Sequence, residues 1–327
     1  MEIGIPKETK NNEFRAALIP DDVVKLVKSG HKVYLERSAG AGSNFSDTEY
    51  EKAGAKICDT VYDCKIIVRV KEPALDTIKE KQTIMAYLHI EKGQNPELLN
   101  KLKEKRVLSY AYEEIKNKKG ERLVNLGFEA GIVGIVEGFR IKGLLPVAEH
   151  RDKKEIYSEV AKLNLKNNIN IVIMGKGRVS SGVQDLLKQT KIKPIVLWRN
   201  ETPNIEKYLP HVDILVNAVD WYPGEPHIIK KSMLKLMKKT ALIVDISCDK
   251  NGAIETSIPT TWDNPTCEVE GITHFCIDNL PSAIPRDASI HLSKMILPYV
   301  IKVANGEELK TGMMTKDGEF VYKKIDN

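Results

Sequence analysis

The sequence predicts an α/β fold with two Rossmann-like domains, each built on a parallel sheet, and a cleft between them. Short runs of β-branched residues alternate with helical stretches along most of the chain, which is typical of parallel strands joined by crossover helices. The length of 327 residues exceeds what one compact core normally holds. With 42% hydrophobic and 29% charged residues, the composition is that of a globular protein with enough apolar side chains for two cores.

The first third of the chain supplies the strands of one domain. Six short apolar runs are the predicted strands: EIGIP, HKVYLE, AKIC, KIIVRV, TIMAYL and RVLSYA. Stretches with helical periodicity, such as DDVVKLVKSG and NPELLNKLKEK, lie between several of them.

The second domain begins where the composition changes near residue 125. GFEAGIVGIVEGFRIKG predicts a long helix of small residues, and five further strands follow: INIVIM, KPIVLW, DILVNAV, TALIVDIS and THFCID. The amphipathic stretch DASIHLSKMILPYVIKVANG then predicts a long helix that returns to the first domain. We therefore expect one domain at 1–125 plus 290–327 and the other at 126–289.

Charge and cysteine usage exclude several functional classes. The net charge of +5 comes from short basic runs that alternate with acids, which indicates a solvated surface rather than a nucleic-acid interface. Five cysteines without a CxxC pair indicate neither a disulfide framework nor a zinc site. The charged N-terminus lacks the apolar core of a signal peptide, and no segment is long enough to span a membrane, so we expect a cytoplasmic protein.

A glycine turn in NINIVIMGKGRVSSG marks the expected dinucleotide site. Gly175 and Gly177 occupy the first two positions of a GxGxxG fingerprint, whereas Ser180 stands at the third. Such glycines let the backbone approach a pyrophosphate at a helix N-terminus, and Arg178 and Ser180 could add donors. Taken alone, this stretch is also compatible with an ordinary turn that binds no phosphate. The surrounding predicted strands favour an NAD(P)-binding domain at 126–289.

The next strand predicts which dinucleotide binds. It ends at Arg199, where an acid would normally accept hydrogen bonds from the adenosine ribose. An arginine there removes repulsion against a 2′-phosphate and can pair with it, so NADP(H) is favoured over NAD(H). NAD(H) stays open because Glu201 could still reach the ribose.

Three residues of the first domain suit chemistry on an amino acid. Arg15 could grip a carboxylate with both arms of its guanidinium, although a surface ion pair is equally compatible with its position. Lys71 and His89 end neighbouring predicted strands, where open α/β sheets collect ligands, and together suit acid/base work on a C–N bond. HExxH, clustered Cys/His ligands and GxSxG are absent, so we expect no metal and no serine nucleophile.

Several segments together resemble the family of alanine dehydrogenase, lysine-forming saccharopine dehydrogenase and the soluble part of nicotinamide nucleotide transhydrogenase. They are GIPKETKNNEFRAALIP, VRVKEP, YLH, VDISCDKNGAIETSIPTT and IDNLPSAIPRDAS. The resemblance implies that Arg15 contacts a substrate carboxylate and that Lys71 and His89 are the acid/base pair.

Within that family the chain looks most like saccharopine dehydrogenase, on the segments SYAYEEIKNKKGERLVNLGFEAG and GKGRVSSG. That match implies six further polar positions of a substrate cleft: Lys10, Glu13, Glu72, Glu113, Arg122 and Asp278. Arg122 would hold a second carboxylate. Arg199 and the shorter length resemble instead the NADPH-dependent N5-(carboxyethyl)ornithine synthase.

The resemblance also adds expected cofactor contacts beside the glycine turn. These are Val179, Asp249, Asp278, Asn279 and Leu280. The sequence therefore predicts an NAD(P)-dependent opine-type oxidoreductase that joins or splits an amine and a 2-oxo acid. Alanine dehydrogenase, the carboxyethylornithine synthase, a transhydrogenase-like subunit and a non-catalytic nucleotide-binding module are the alternatives. A homo-oligomer is compatible with the sequence.

Overall fold

A computed structural model describes residues 1–146, 152–163 and 169–322, and the chain divides into two compact units. The first unit contains the chain up to Asn125 and again from Pro285 onward, and the second runs from Leu126 to Ile284. The chain therefore returns to the first unit at Pro285, whereas the sequence predicted this boundary at residue 290. That the first unit binds substrate and the second binds the dinucleotide stays a prediction.

The helices and strands are these, in chain order. The strands are β1 (Glu2–Ile5), β2 (Lys32–Glu36), β3 (Lys56–Cys58), β4 (Ile66–Val68), β5 (Thr83–Ala86), β6 (Leu108–Ala111), β7 (Ile171–Met174), β8 (Ile195–Leu197), β9 (Ile214–Asn217), β10 (Leu242–Asp245), β11 (Thr266–Val269), β12 (Ile272–Phe275), β13 (Met313–Lys316) and β14 (Glu319–Phe320). The helices are α1 (Pro20–Lys28), α2 (Asp47–Lys52), α3 (Pro96–Glu104), α4 (Gly127–Ile141), α5 (Lys153–Lys162), α6 (Arg178–Leu187) and α7 (Pro285–Ala304).

The first unit is built on an eight-stranded sheet in the order β14-β13-β6-β5-β4-β1-β2-β3. Strands β1 to β6 pair in parallel and confirm the six predicted strands, while β13 and β14 add an antiparallel hairpin at one edge. The hairpin was not predicted, because β13 and β14 are short and lack a sustained apolar pattern. It extends the sheet beyond β6.

Helix α7 fixes the loop between β1 and α1 in the first unit. The Ser289 hydroxyl accepts a hydrogen bond from the Ala16 backbone N–H at 2.9 Å, and the Ser293 hydroxyl accepts one from the Ile19 N–H at 3.0 Å. Both hydroxyls are buried, so they satisfy backbone groups that water does not reach. The segment that carries Arg15 is therefore held by a helix from the far end of the chain.

The second unit is built on a six-stranded sheet in the order β11-β12-β10-β9-β7-β8. The five predicted strands form its parallel part, and only β11 pairs antiparallel. The prediction of an α/β chain with two mostly parallel sheets is therefore confirmed.

Helices α4 and α6 of the second unit pack at backbone contact. A Cβ added at Gly131 would lie 2.1 Å from the Val179 carbonyl oxygen, and one added at Gly182 would lie 2.0 Å from the Phe128 carbonyl oxygen. Only glycine allows this approach. The small residues of α4 and the last glycine of GKGRVSSG thus have a packing role.

The crossover between β8 and β9 is short. Its helical part is the 3-10 helix Thr202–Lys207 rather than an α-helix. Within the described ranges, we find no helix with the length and apolar character needed to cross a membrane.

Candidate active site

Two neighbouring strands of the first unit bring Lys71 and His89 to one edge of its sheet. β4 and β5 pair in parallel with Val68 opposite Met85. Lys71 follows the end of β4 by three residues, and His89 follows the end of β5 by three. The strands end earlier than the sequence predicted, but both side chains still belong to loops at the carboxyl edge, where ligands of open α/β sheets bind.

Arg15 forms a buried two-armed ion pair with Glu13. Its Nε lies 2.7 Å from Glu13 Oε1 and its Nη2 lies 2.5 Å from Glu13 Oε2, with both side chains buried. Burial acts to raise the pKa of Glu13, but the charges of Arg15 and Lys71 outweigh it and lower that pKa. Arg15 is thus not a surface ion pair. Glu13 orients it, and their contact with substrate stays a prediction.

Glu8 organises the loop that carries Lys71, a role that the sequence reading missed. Its Oε1 accepts a hydrogen bond from Val70 N at 2.7 Å. Its Oε2 accepts hydrogen bonds from Arg69 Nη2 at 3.0 Å and from Lys71 N at 3.3 Å. The charged residue inside the apolar run KIIVRV was the available signal, because a buried arginine requires an anionic partner.

Charged groups of both signs are buried around Lys71. Glu8 and Glu13 supply two carboxylates, and Arg15, Arg69 and Lys71 supply three cationic groups. Arg69 is fully buried, and its Nε and Nη1 have no hydrogen-bond partner in the part of the chain that the structure describes. Guanidinium and ammonium groups are the donors that bind an anionic ligand such as a carboxylate.

His89 is held in a strained backbone conformation by Glu113. His89 has a φ of 49°, in the left-handed region that non-glycine residues rarely adopt. Glu113 Oε1 accepts hydrogen bonds from Leu88 N at 3.0 Å and from His89 N at 2.6 Å. The His89 ring stacks on Tyr87 with ring centroids 6.1 Å apart. The loop therefore presents a half-exposed imidazole in a defined orientation.

The carboxyl group of Glu113 is strongly perturbed. Burial, together with the nearby Glu91 carboxylate, raises its pKa to about 8. Burial also raises the pKa of Glu91, and the Arg122 charge opposes that shift. The sequence reading placed Glu113 and Arg122 in a substrate cleft. Glu113 is bonded to the loop of His89, and Arg122 lies close enough to influence Glu91, while their contact with substrate stays a prediction.

Two further predicted substrate residues, Lys10 and Glu72, are half-buried in the first unit. One carboxylate oxygen of Glu72 is buried and has no hydrogen-bond partner among the described residues. Substrate contact by either side chain stays a prediction.

In the second unit the glycine turn fits a pyrophosphate. Gly175 has a φ of 103°, and a Cβ there would lie 2.6 Å from the Ala218 carbonyl oxygen. Gly177 precedes the first residue of α6, makes no side-chain cap, and has open space where a Cβ would stand. The N-terminus of α6 is therefore accessible to an anion, with Arg178 exposed at its first position.

The two residues after Arg178 face the helix packing instead. The Ser180 hydroxyl is fully buried and lies 3.0 Å from Gln184 Nε2, which donates to it. The Val179 carbonyl contacts the backbone of α4 at Gly131. Their predicted contact with a cofactor has no further support in this geometry and stays a prediction.

Arg199, beyond the end of β8, is paired with an acid that the sequence reading missed. Its Nη2 lies 2.5 Å from Glu225 Oε1. Glu201 Oε2 accepts a hydrogen bond from the Trp198 backbone N–H at 2.7 Å, so this carboxylate is engaged locally. Arg199 and Glu225 are 26 residues apart in the chain, so local sequence patterns do not predict that they pair.

The remaining predicted cofactor residues follow β10 and β12, which pair in parallel. Asp249 is half-buried and Asp278 is exposed. Asn279 is buried and accepts a hydrogen bond from Trp262 Nε1 at 2.9 Å, while Leu280 lies in the core beside α4. Among the described residues, no three His, Cys, Asp or Glu side chains are placed to hold a metal ion.

Comparison with known proteins gives consistent matches along the chain. Residues 4–133 match the family model "Alanine dehydrogenase/PNT, N-terminal domain", and residues 161–323 match its C-terminal counterpart. The alanine dehydrogenase of Bacillus subtilis (strain 168) is 30% identical, over 99% of this chain and 94% of that protein. An alanine dehydrogenase of Staphylococcus epidermidis is 32% identical, over 99% and 96%.

A solved structure of an L-alanine dehydrogenase superposes with a TM-score of 0.80 at 26% identity, over 99% of this chain and 98% of that one. The alignment with the Bacillus protein runs over 369 positions, 42 more than the 327 residues of this chain. The relative therefore has residues at many positions where this chain has none.

Proposed function

Because the chain belongs to the alanine dehydrogenase/PNT family, we propose that it interconverts L-alanine with pyruvate and ammonium. The chain is an NAD-dependent oxidoreductase that acts on a CH–NH2 group. The observation that carries the proposal is the placement of Lys71 and His89 beyond two paired strands, with Glu13, the partner of the buried Arg15, close enough to interact with Lys71. Closeness to saccharopine dehydrogenase, expected from the sequence, has no support in the relatives reported above.

Arg15 binds the substrate carboxylate in this account. Its guanidinium is buried and oriented by Glu13. An arginine in a fixed position binds a planar carboxylate through two parallel hydrogen bonds. Because the carboxylate is held in this way, the neighbouring amine-bearing carbon of the substrate has a fixed position for the reaction.

Lys71 contacts the substrate at the carbonyl group that reacts. Its backbone is fixed by Glu8, and its side chain is buried close enough to Glu13 for their charges to interact. The ammonium group of Lys71 donates a hydrogen bond to the carbonyl oxygen of pyruvate, which makes the carbon more electrophilic.

His89 moves the proton of water or ammonia. In the direction of alanine oxidation, His89 takes a proton from the water that adds to the C=N bond of the oxidised substrate. In the reverse direction it returns that proton to the departing hydroxyl. Glu113 keeps the imidazole in place through the backbone N–H groups of Leu88 and His89.

The second unit supplies the redox partner. A bound nicotinamide dinucleotide provides hydride acceptance and donation. Gly175 and Gly177 leave room for the pyrophosphate, and the N-terminus of α6 provides unpaired backbone N–H groups for it.

A substrate matrix tests the proposal. We expect NADH or NADPH oxidation with pyruvate and ammonia, and reduction of the oxidised cofactor with L-alanine. The matrix also contains lysine, ornithine and arginine as amines, with 2-oxoglutarate and glyoxylate as oxo acids. Tight dinucleotide binding without turnover across the matrix would contradict the proposal and indicate a nucleotide-binding module.

An opine-forming reaction, such as that of saccharopine dehydrogenase or the carboxyethylornithine synthase, is the second candidate. The supporting observation is Arg122, whose charge acts on Glu91 beside the His89 loop and could bind a second carboxylate. In that case the cofactor would be oxidised with a 2-oxo acid and lysine or ornithine, but not with ammonia. Arg122→Ala would then raise the KM of that amine.

A further inference from the structure

The surface beyond β8 and β9 of the second unit contains a cavity of about 460 Å³. That volume lies within the range of small-molecule sites. Five of its lining side chains are ionisable: Arg199, Glu206, Glu225, His227 and Lys230. The others are largely apolar, so the cavity combines an apolar wall with charges of both signs.

The cavity adjoins the glycine turn. The Gly175 backbone N–H donates a hydrogen bond to the Leu197 carbonyl at 2.9 Å, and a Cβ added at Gly175 would lie 2.6 Å from the Ala218 carbonyl oxygen. Arg199 and Val219, which line the cavity, follow Leu197 and Ala218 closely in the chain. A dinucleotide with its pyrophosphate at the turn would therefore reach the cavity with its adenosine end.

A second basic side chain, Lys176, packs on the residue that precedes Arg199. The Lys176 ammonium lies 4.0 Å from the centre of the Trp198 ring, directly before Arg199 in the chain. The Arg199 side chain is 71% exposed, and its one ion pair in the described structure is to Glu225. An incoming phosphate can therefore reach the guanidinium.

Glu225 is fixed in place. Its Oε1 lies 2.5 Å from Arg199 Nη2, and its backbone carbonyl accepts a hydrogen bond from Trp221 Nε1 at 3.2 Å. Trp221 stacks on His227 with ring centroids 6.2 Å apart, and His227 Nδ1 lies 2.7 Å from the Gly252 carbonyl oxygen. The carboxylate is thus held on Arg199 by a supported loop.

We propose that Glu225 sets the preference between NADP(H) and NAD(H) at this cavity, by competing with the 2′-phosphate of NADP(H) for Arg199. The inference rests on the proposed function only in requiring that the second unit bind a nicotinamide dinucleotide. The 2′-phosphate displaces the Glu225 carboxylate from Arg199, and like charges then oppose each other. With NAD(H), the same carboxylate accepts a hydrogen bond from the ribose 2′-hydroxyl.

Equilibrium binding of two adenosine fragments tests the proposal without any turnover. The probes are adenosine 2′,5′-bisphosphate and 5′-AMP, which differ only in the 2′-phosphate, measured by calorimetry on the full chain. Arg199→Ala should weaken binding of the bisphosphate by about tenfold and leave 5′-AMP within about twofold, as expected for one charge-assisted contact. Glu225→Gln should tighten the bisphosphate severalfold and leave 5′-AMP unchanged or weaker.

Two control variants sharpen the test. Glu206→Gln removes an acid from the same cavity that is not paired with Arg199, and should change the bisphosphate less than Glu225→Gln does. In Arg199→Ala/Glu225→Gln the gain from the glutamine should vanish, because there is no guanidinium to compete for. Equal weakening of both probes by Arg199→Ala, or no tightening by Glu225→Gln, would overturn the proposal.

The outcome is separable from that of the proposed function. Turnover of alanine together with equal binding of both probes by every variant would leave the enzyme assignment intact and reject the role of Glu225. The expected probe pattern without turnover of any amine would do the reverse.

Discussion

The two candidate regions of this chain bind charge in opposite ways. In the first unit, Arg15, Glu13, Glu8 and Arg69 form buried ion pairs whose geometry is set by carboxylates. In the second unit, the glycine turn offers open backbone, and Arg199 is largely exposed. The first arrangement suits proton transfer to one small substrate, and the second suits a long ligand that is bound by many weak contacts.

This difference determines which substitutions affect the stability of each region and which affect its ligand. Buried charges interact strongly because little solvent screens them, and the loss of one partner leaves the other unpaired. A glycine with open space where a Cβ would stand contributes little to the stability of the fold. Its substitution therefore changes ligand affinity more than the free energy of unfolding.

The largest expected effect is on catalysis in the first unit. Lys71→Met and His89→Ala should each lower kcat by about 10²–10⁴-fold, because Lys71 donates a hydrogen bond to the reacting carbonyl and His89 moves a proton. Steady-state kinetics with pyruvate and ammonia measures this, and Lys79→Met, at an exposed position, is the matched control. If both variants stay within a few fold of wild type, the acid/base assignment is wrong.

Gly182 in α6 and Gly177 in the turn before it should separate packing from ligand binding. Gly182→Ala should destabilise the fold by about 1–3 kcal/mol, because its Cβ would lie 2.0 Å from the Phe128 carbonyl oxygen. Gly177→Ala has open space and should change the free energy of unfolding by less than about 0.5 kcal/mol, while weakening dinucleotide binding. Denaturant unfolding and NADPH titration of both variants measure the two effects. Equal loss of stability in both would contradict this contrast.

Glu113 should make stability depend on pH. Burial and the Glu91 carboxylate raise its pKa from 4.5 to about 8, so the folded chain retains a proton that the unfolded chain loses. The free energy of unfolding of the wild type should therefore fall relative to Glu113→Gln as pH rises from about 4.5 to about 8, and the difference should level off above that. The glutamine keeps an oxygen for the Leu88 and His89 N–H groups. A difference that is constant with pH would show that Glu113 is not protonated in the folded chain.

The smallest effect is expected at an exposed ion pair of the first unit. Arg37 Nε lies 3.2 Å from Asp59 Oδ1, with both side chains mainly exposed. Arg37→Ala should change the free energy of unfolding by less than about 1 kcal/mol, because solvent screens the pair. A loss comparable to that of Gly182→Ala, measured under the same conditions, would mean that burial does not decide the value of these charges.

Much of the fold and part of the site could be predicted from local sequence. The parallel strands are continuous apolar runs, and Lys71 and His89 follow two of them closely, so their common edge followed from the fold class. Hydrogen bonds between distant segments could not be predicted in the same way. Glu8 bonds Val70 and Glu225 bonds Arg199, in each case across many residues of chain.

Local sequence also failed where a motif residue serves packing. The serine at the third fingerprint position is buried against Gln184, and Gly182 serves the contact of α6 with α4. The hydrogen bonds of Glu113 go to backbone N–H groups, which no side-chain pattern reveals. Tertiary contacts decided these roles.

One measurement tests the central claim that the first unit carries the proton chemistry and the second carries the dinucleotide. NADPH binding and L-alanine-dependent cofactor reduction are measured on the same preparations of wild type and His89→Ala. We predict turnover by the wild type, and turnover at least about a hundredfold slower with unchanged NADPH affinity in His89→Ala. Absence of alanine turnover by the wild type, or equal turnover by the two proteins, would contradict the account.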